Sequence, residues 1–100
     1  MQVQHHHNAK VGVFFIEEGE KRIAFLTYKY EVQEKLIIEH TEVLEKYEGN
    51  GLGKQLVQTV VEFARETNRK ILPLCTFAKD IFDETPEFKD VKVELNKSKG

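Results

Sequence analysis

The sequence predicts an α+β fold, a mixed but mainly antiparallel sheet that contains one β-α-β unit and carries helices. Three observations lead there. Apolar and aromatic residues alternate through successive segments of the first half. Helical spacing of apolar residues begins only after a glycine-rich turn at 49–53. A short apolar segment then follows the helix, and strand, helix, strand implies a parallel pair joined by a right-handed crossover.

The elements follow in order. Residues 1–9 are polar and read as a loose tail, with the domain proper at 10–95 and a second tail at 96–100. Lys10 to Ile16 is β-rich, with Val11, Val13 and Phe15 on alternate positions. Glu17 to Glu20 contains Gly19 and reads as a hairpin turn. Lys21 to Glu31 is a second strand, with Ala24, Leu26, Tyr28 and Tyr30 on one face. The chain turns at Val32 to Lys35, and Leu36 to Leu44 completes an antiparallel meander. Leu52, Leu56, Val57, Val60, Val61 and Ala64 mark one apolar helix face. Arg65, Arg69 and Lys70 sit where cations suit the helix dipole, and Asn68 is a stop signal. Lys70 to Phe77 is an apolar strand, expected parallel to Leu36–Leu44. A helix around Ala78–Glu84 ends before Pro86. Val91, Val93 and Leu95 alternate as a terminal edge strand.

One hundred residues make one domain. The composition, 40% hydrophobic and 32% charged, is that of an ordinary globular chain. Fifteen basic and 17 acidic residues leave a net charge of -2, which gives no electrostatic case for nucleic acid or an anionic membrane. No apolar run spans a bilayer, and no signal peptide opens the chain. The lone cysteine, Cys75, rules out an internal disulfide and suits a reducing, cytoplasmic setting.

Residues 49–53 read Gly-Asn-Gly-Leu-Gly. A helix starting there leaves its first amides without partners, at the positive end of the dipole. Glycines let an anion approach those amides. The same residues also serve a plain strand-to-helix turn, so the motif alone leaves both readings open. Two phosphate loops are excluded by spacing. Gly53-Lys54 has Glu48 where a P-loop needs glycine, and Gln55 where it needs Ser or Thr. The third glycine of a dinucleotide fingerprint would fall on Lys54 or Leu56.

Gly51-Leu52-Gly53 resembles the G-x-G/A turn of the GNAT acetyltransferases, and the strand before it fits as well. The resemblance is closer to a subfamily of very short GNAT-like proteins, marked by HT-x-V, a glycine turn and P-x-C-[ST]-[FY]. This chain has His40-Thr41-Glu42-Val43, then the glycine turn, then Pro73-Leu74-Cys75-Thr76-Phe77, with an acidic, proline-containing tail at Glu84–Phe88. The likeness spans roughly residues 10–92. Glu48 departs from it, standing where the wider family carries Arg or Gln. A carboxylate facing a pyrophosphate would repel it, and Lys54 would offset that.

The resemblance implies a minimal GNAT fold and an N-acetyltransferase that takes acetyl-CoA as co-substrate, with no metal. It implies a pyrophosphate held by amides from Asn50 to Gln55, so that Gly49, Asn50, Gly51, Leu52, Gly53, Lys54 and Gln55 form the cofactor turn. It implies a pantetheine arm on the strand edge at Glu42, Val43 and Leu44, with the amide of Val43 or Leu44 polarising the thioester carbonyl. His40 and Cys75 then fall near the acyl carbon as a catalytic pair expected to meet across the splayed strands. In one mechanism Cys75 carries the acetyl group as a thioester. In the other, which we favour, the amine attacks acetyl-CoA directly and His40 is the base.

Each of these residues also has a plainer reading. Cys75 on an apolar strand is a small hydrophobe, His40 a hydrogen-bonded core histidine, and Thr41 a strand filler, the reading we favour for it. Glu39 and Glu42 read as solvated. His5, His6 and His7 are adjacent and cannot all face one metal from a strand, so they read as polar tail. The expected acceptor is a small-molecule or peptide amine, and the expected state a monomer or weak dimer. The alternative function is a non-catalytic module that binds coenzyme A or acyl-CoA.

Overall fold

The computed structural model describes residues 2–93. Five strands form one sheet in sequence order: β1 (Gln4–His7), β2 (Val11–Glu18), β3 (Lys21–Glu31), β4 (Lys35–Val43) and β5 (Lys70–Pro73). The first three pairings are antiparallel, and β4 with β5 is parallel. Helix α1 (Leu52–Glu66) makes the crossover, and α2 (Thr76–Glu84) follows β5. A 3-10 turn at Glu45–Tyr47 leads into the glycine residues, and another spans Pro86–Val91. The expected α+β architecture is present.

Periodicity explains the single core. Phe14, Ile16, Ala24, Leu26, Tyr28, Leu36 and Ile38 put one sheet face against Leu52, Leu56, Val57, Val60, Val61 and Ala64 of α1. Ala78, Ile81 and Phe82 of α2 join the same cluster. Every buried apolar residue of the helices lies in this one core. Phe15 and Ile37, buried on the other face, stand apart from it. Phe15 is shielded instead by the Arg22 guanidinium, 3.9 Å above its ring, and by the ring of His6. Asn68 ends α1 as expected, in the left-handed region at φ 58.

Three expectations are corrected. The loose tail is partly strand: β1 pairs His5 with Phe14 and His6 with Val13. It holds because His5 stacks on Phe14 at 3.8 Å and bonds the Tyr28 hydroxyl at 2.6 Å. The strand from Lys70 to Phe77 stops at Pro73. The amides of Leu74 and Cys75 both donate to the Ile38 carbonyl, which ends the ladder, and Cys75 becomes the N-cap of α2. Of the terminal edge strand expected over Val91, Val93 and Leu95, Val91 belongs instead to the 3-10 turn, and the described residues beyond it show one bridge, Lys92 with Ile71. Leu95 and the tail at 96–100 lie outside the described residues.

Candidate acyl-CoA site

Strand β4 positions the site. It pairs with β5 only through Ile38, opposite Pro73, so its last residues present a free edge. A bulge at this point places His40 opposite Thr27 and Ile38 opposite Tyr28, leaving Glu39 as the extra residue. Beyond the bulge, Thr41 pairs with Leu26 and Val43 with Ala24, on the α1 face, whereas His40 and Glu42 pair with Thr27 and Phe25 on the other face. The Leu44 amide donates to the Ile23 carbonyl at 2.9 Å. Backbone alternation then aims the amides of Thr41 and Val43 away from β3, into the gap left by β5. Of the two amides expected to polarise the thioester carbonyl, that of Leu44 is therefore engaged, and that of Val43 points into the gap.

A cleft of about 810 Å³ opens along this edge. Thr41, Glu42, Val43, Leu44, Gly49, Gly51, Leu52, Gly53 and Lys54 line it, together with Tyr47, Glu48 and Phe77. The two sequence segments singled out for the cofactor, strand edge and glycine turn, thus face one cavity. Asn50 and Gln55 are not in its lining. Asn50 turns its side-chain amide to the Tyr47 carbonyl at 3.0 Å. The Gln55 amide makes the first helical bond, to Gly51 at 3.0 Å, so it drops out as an anion donor. The amides of Leu52, Gly53 and Lys54 precede that bond and have no acceptor within the helix.

The glycines serve different ends. Gly51 caps α1 at φ 78, and Gly49 sits at φ 86, with nothing within 4 Å of where a β-carbon would be. Both are required by backbone conformation. Gly53 is helical, and a β-carbon there would run into the ring of Phe77. The cleft's charge is mostly negative: Glu42, Glu45 and Glu48 against Lys54. Tyr47 donates its hydroxyl to Glu18, and that carboxylate holds the phenol above its ordinary pKa.

The expected pairing of Cys75 with His40 is not found. The Cys75 thiol donates to Thr41 Oγ1 at 3.3 Å and accepts the Ala78 amide at 3.3 Å. His40 is exposed on the opposite sheet face. The strand alternation that points Thr41 at Cys75 necessarily points its neighbour away. Thr41, read from sequence as filler, is the residue in contact with the thiol and in the cleft lining. Only its place beside His40 in the HT-x-V motif could have signalled it.

Known proteins supply the comparison. Residues 13–91 match the family model described as GCN5-related N-acetyl-transferase. A GCN5-like candidate N-acetyltransferase from Staphylococcus aureus is 31% identical, with a TM-score of 0.75 over 96% of this chain and 91% of that one. A candidate streptothricin acetyltransferase from Bacillus anthracis, solved with acetyl coenzyme A, is 25% identical, with a TM-score of 0.56 over 64% of this chain and 37% of that one. An aminoglycoside acetyltransferase from an uncultured soil sample shares the fold at 18% identity and a TM-score of 0.66, over 88% of this chain and 62% of its own. No curated protein sequence matches the chain.

Proposed function

The chain belongs to the GCN5-related N-acetyltransferase family, and on that premise we propose that it moves the acetyl group of acetyl-CoA to an amine. The observation that carries the reading is the shared cleft. Free amides at the start of α1 and a free strand edge on β4 line one cavity. The first suits a pyrophosphate at a helix N-terminus. The second suits an extended pantetheine arm, whose amides pair with a strand edge as another strand would.

In this reading Leu52, Gly53 and Lys54 receive the pyrophosphate on their amides, with Gly49 and Gly51 shaping the turn. Glu42, Val43 and Leu44 flank the pantetheine. The Val43 amide donates to the thioester carbonyl and stabilises the oxyanion as it forms. The amine nitrogen attacks the carbonyl carbon, the carbon–sulfur bond breaks, and coenzyme A leaves as a thiolate that takes up a proton. His40, on the face free of helices, accepts the proton that the amine loses. Cys75 supports the acyl end through its contact with Thr41 and is not the acetyl carrier. The separation of His40 from the thiol supports direct transfer, since the imidazole is not placed to activate that sulfur. The acceptor class stays at amines, from small molecules to peptides, and the compartment proposed is the cytoplasm. No observation favours the binding-only alternative.

Thiol release from acetyl-CoA, followed across a panel of simple amines, polyamines, peptides and aminoglycosides, tests this. Amine-dependent release matched by acetylated product is expected. Tight coenzyme A binding without turnover on any amine would contradict it.

A further inference from the structure

We propose that Tyr47, clamped by Glu18, is a positioning residue that holds the glycine turn open to receive coenzyme A. The inference rests on the proposed function and adds to it a role for the β2–β3 hairpin.

The turn has little to hold it. Gly49 and Gly51 occupy left-handed backbone, and no atom lies within 4 Å of either β-carbon position. Glycine also has the most conformational freedom to lose on ordering. No side-chain cap bond starts α1, since Gly51 has no side chain to offer. The fixed points lie just upstream, and they converge on one residue. The Tyr47 amide donates to the Leu44 carbonyl at 2.8 Å. Its carbonyl accepts the Asn50 side-chain amide at 3.0 Å, which bridges into the middle of the turn. Its ring packs against the core cluster. Its hydroxyl donates to the carboxylate of Glu18, 29 residues earlier, at the end of β2. Glu18 is itself held in register opposite Lys21 at the hairpin end. The end of β2 thus reaches the glycine turn through the Tyr47 phenol, and Tyr47 also lines the cleft.

A clamp of this kind acts on binding and not on the chemical step. Removing it frees the turn, so ordering the turn becomes part of the cost of binding coenzyme A. Tyr47→Phe keeps the ring in the core and deletes only the hydroxyl. It should raise the KM for acetyl-CoA about fivefold, the scale of one hydrogen bond, with kcat within about twofold of wild type. Glu18→Ala should do the same, and the double variant should be no worse than either single one, because both break one contact. Glu18→Gln retains an acceptor oxygen and should recover most of the affinity. In the free protein, amide exchange at Gly49 to Gly53 should speed up in Tyr47→Phe while exchange in the β2–β3 ladder is unchanged. Unchanged KM in Tyr47→Phe, a parallel fall in kcat, or multiplying effects in the double variant would each overturn the role. Wild-type protein that neither binds nor turns over acetyl-CoA would overturn the proposed function, and this role with it. Wild-type binding that Tyr47→Phe leaves unaltered overturns the role alone.

Discussion

The Cys75 thiol donates to Thr41 and accepts the amide of Ala78. Both bonds suit a residue that caps a helix and supports Thr41, which lines the cleft. We therefore expect no acetyl group on Cys75 when the protein is incubated with acetyl-CoA alone and weighed intact. Cys75→Ser, which can keep both contacts, should turn over within a few-fold of wild type. A kinetically competent adduct on Cys75, absent from Cys75→Ala, would reverse that view. His40 is different. Its imidazole stands exposed on the open face, with no side-chain hydrogen bond to a described residue, available to an incoming amine. His40→Ala should lower turnover by about a hundredfold, the usual scale for losing a general base, while coenzyme A affinity measured by calorimetry stays the same. Glu48 lines the cleft beside the turn. Glu48→Arg should tighten acetyl-CoA, and the gain should fade as salt is added, because exposed charges are screened. No gain at low salt would mean that the side chain does not face the phosphates. At this scale the sequence marked the right segments through glycine spacing and the HT-x-V and P-x-C motifs. It could not say which neighbour faces where. The bulge at Glu39 sets the phase of β4 after Ile38, and a bulge leaves no trace in the alternation of nine residues.

Among the elements, the glycine turn and β1 carry the most testable physics. Gly51→Val forces a β-branched residue into φ 78, at a cost of roughly 1–2 kcal/mol. It should weaken coenzyme A binding well beyond its effect on melting temperature; equal affinity in that variant would sink the proposed location. Strand β1 should respond to acid. Burial lowers the pKa of His5 to about 4, with smaller contributions from the nearby charges of His7 and His6. The unfolded chain protonates this group near its ordinary 6.5, so between those values the unfolded state binds more protons. Stability gained from His5 is then complete above about pH 6.5 and lost as the pH falls toward 4. His5→Phe, which keeps a ring on Phe14, should flatten the decline in melting temperature over that range. An unchanged pH profile would contradict it. Neither element was fully legible. In β1, histidine rings set against Phe14 and the β3 phenols do work usually done by aliphatic residues, so hydropathy reads the segment as tail. In Lys70 to Phe77, one apolar run covers a strand end, a cap and a helix start, and only the Ile38 carbonyl separates them.

Taken as a whole, the molecule is one sheet with its helices' apolar residues gathered on one face. The apolar spacing of α1 and the alternation of three strands made that arrangement readable in advance, including the parallel β4–β5 pair. Sequence periodicity gave no sign that Phe15 on the second face would be covered by a cation instead of by a helix. The arrangement divides labour. The α1 side offers amides and a strand edge to an acyl-CoA, and the other side leaves His40 open to an acceptor. The claim that joins these is where acetyl-CoA sits. Titrating isotopically labelled protein with acetyl-CoA and following every backbone amide tests it most directly. The largest shifts should fall on Thr41, Val43, Leu52, Gly53 and Lys54, with little change across β1. Saturable shifts centred on His6, Val11 and Val13, or none at the start of α1, would contradict the account.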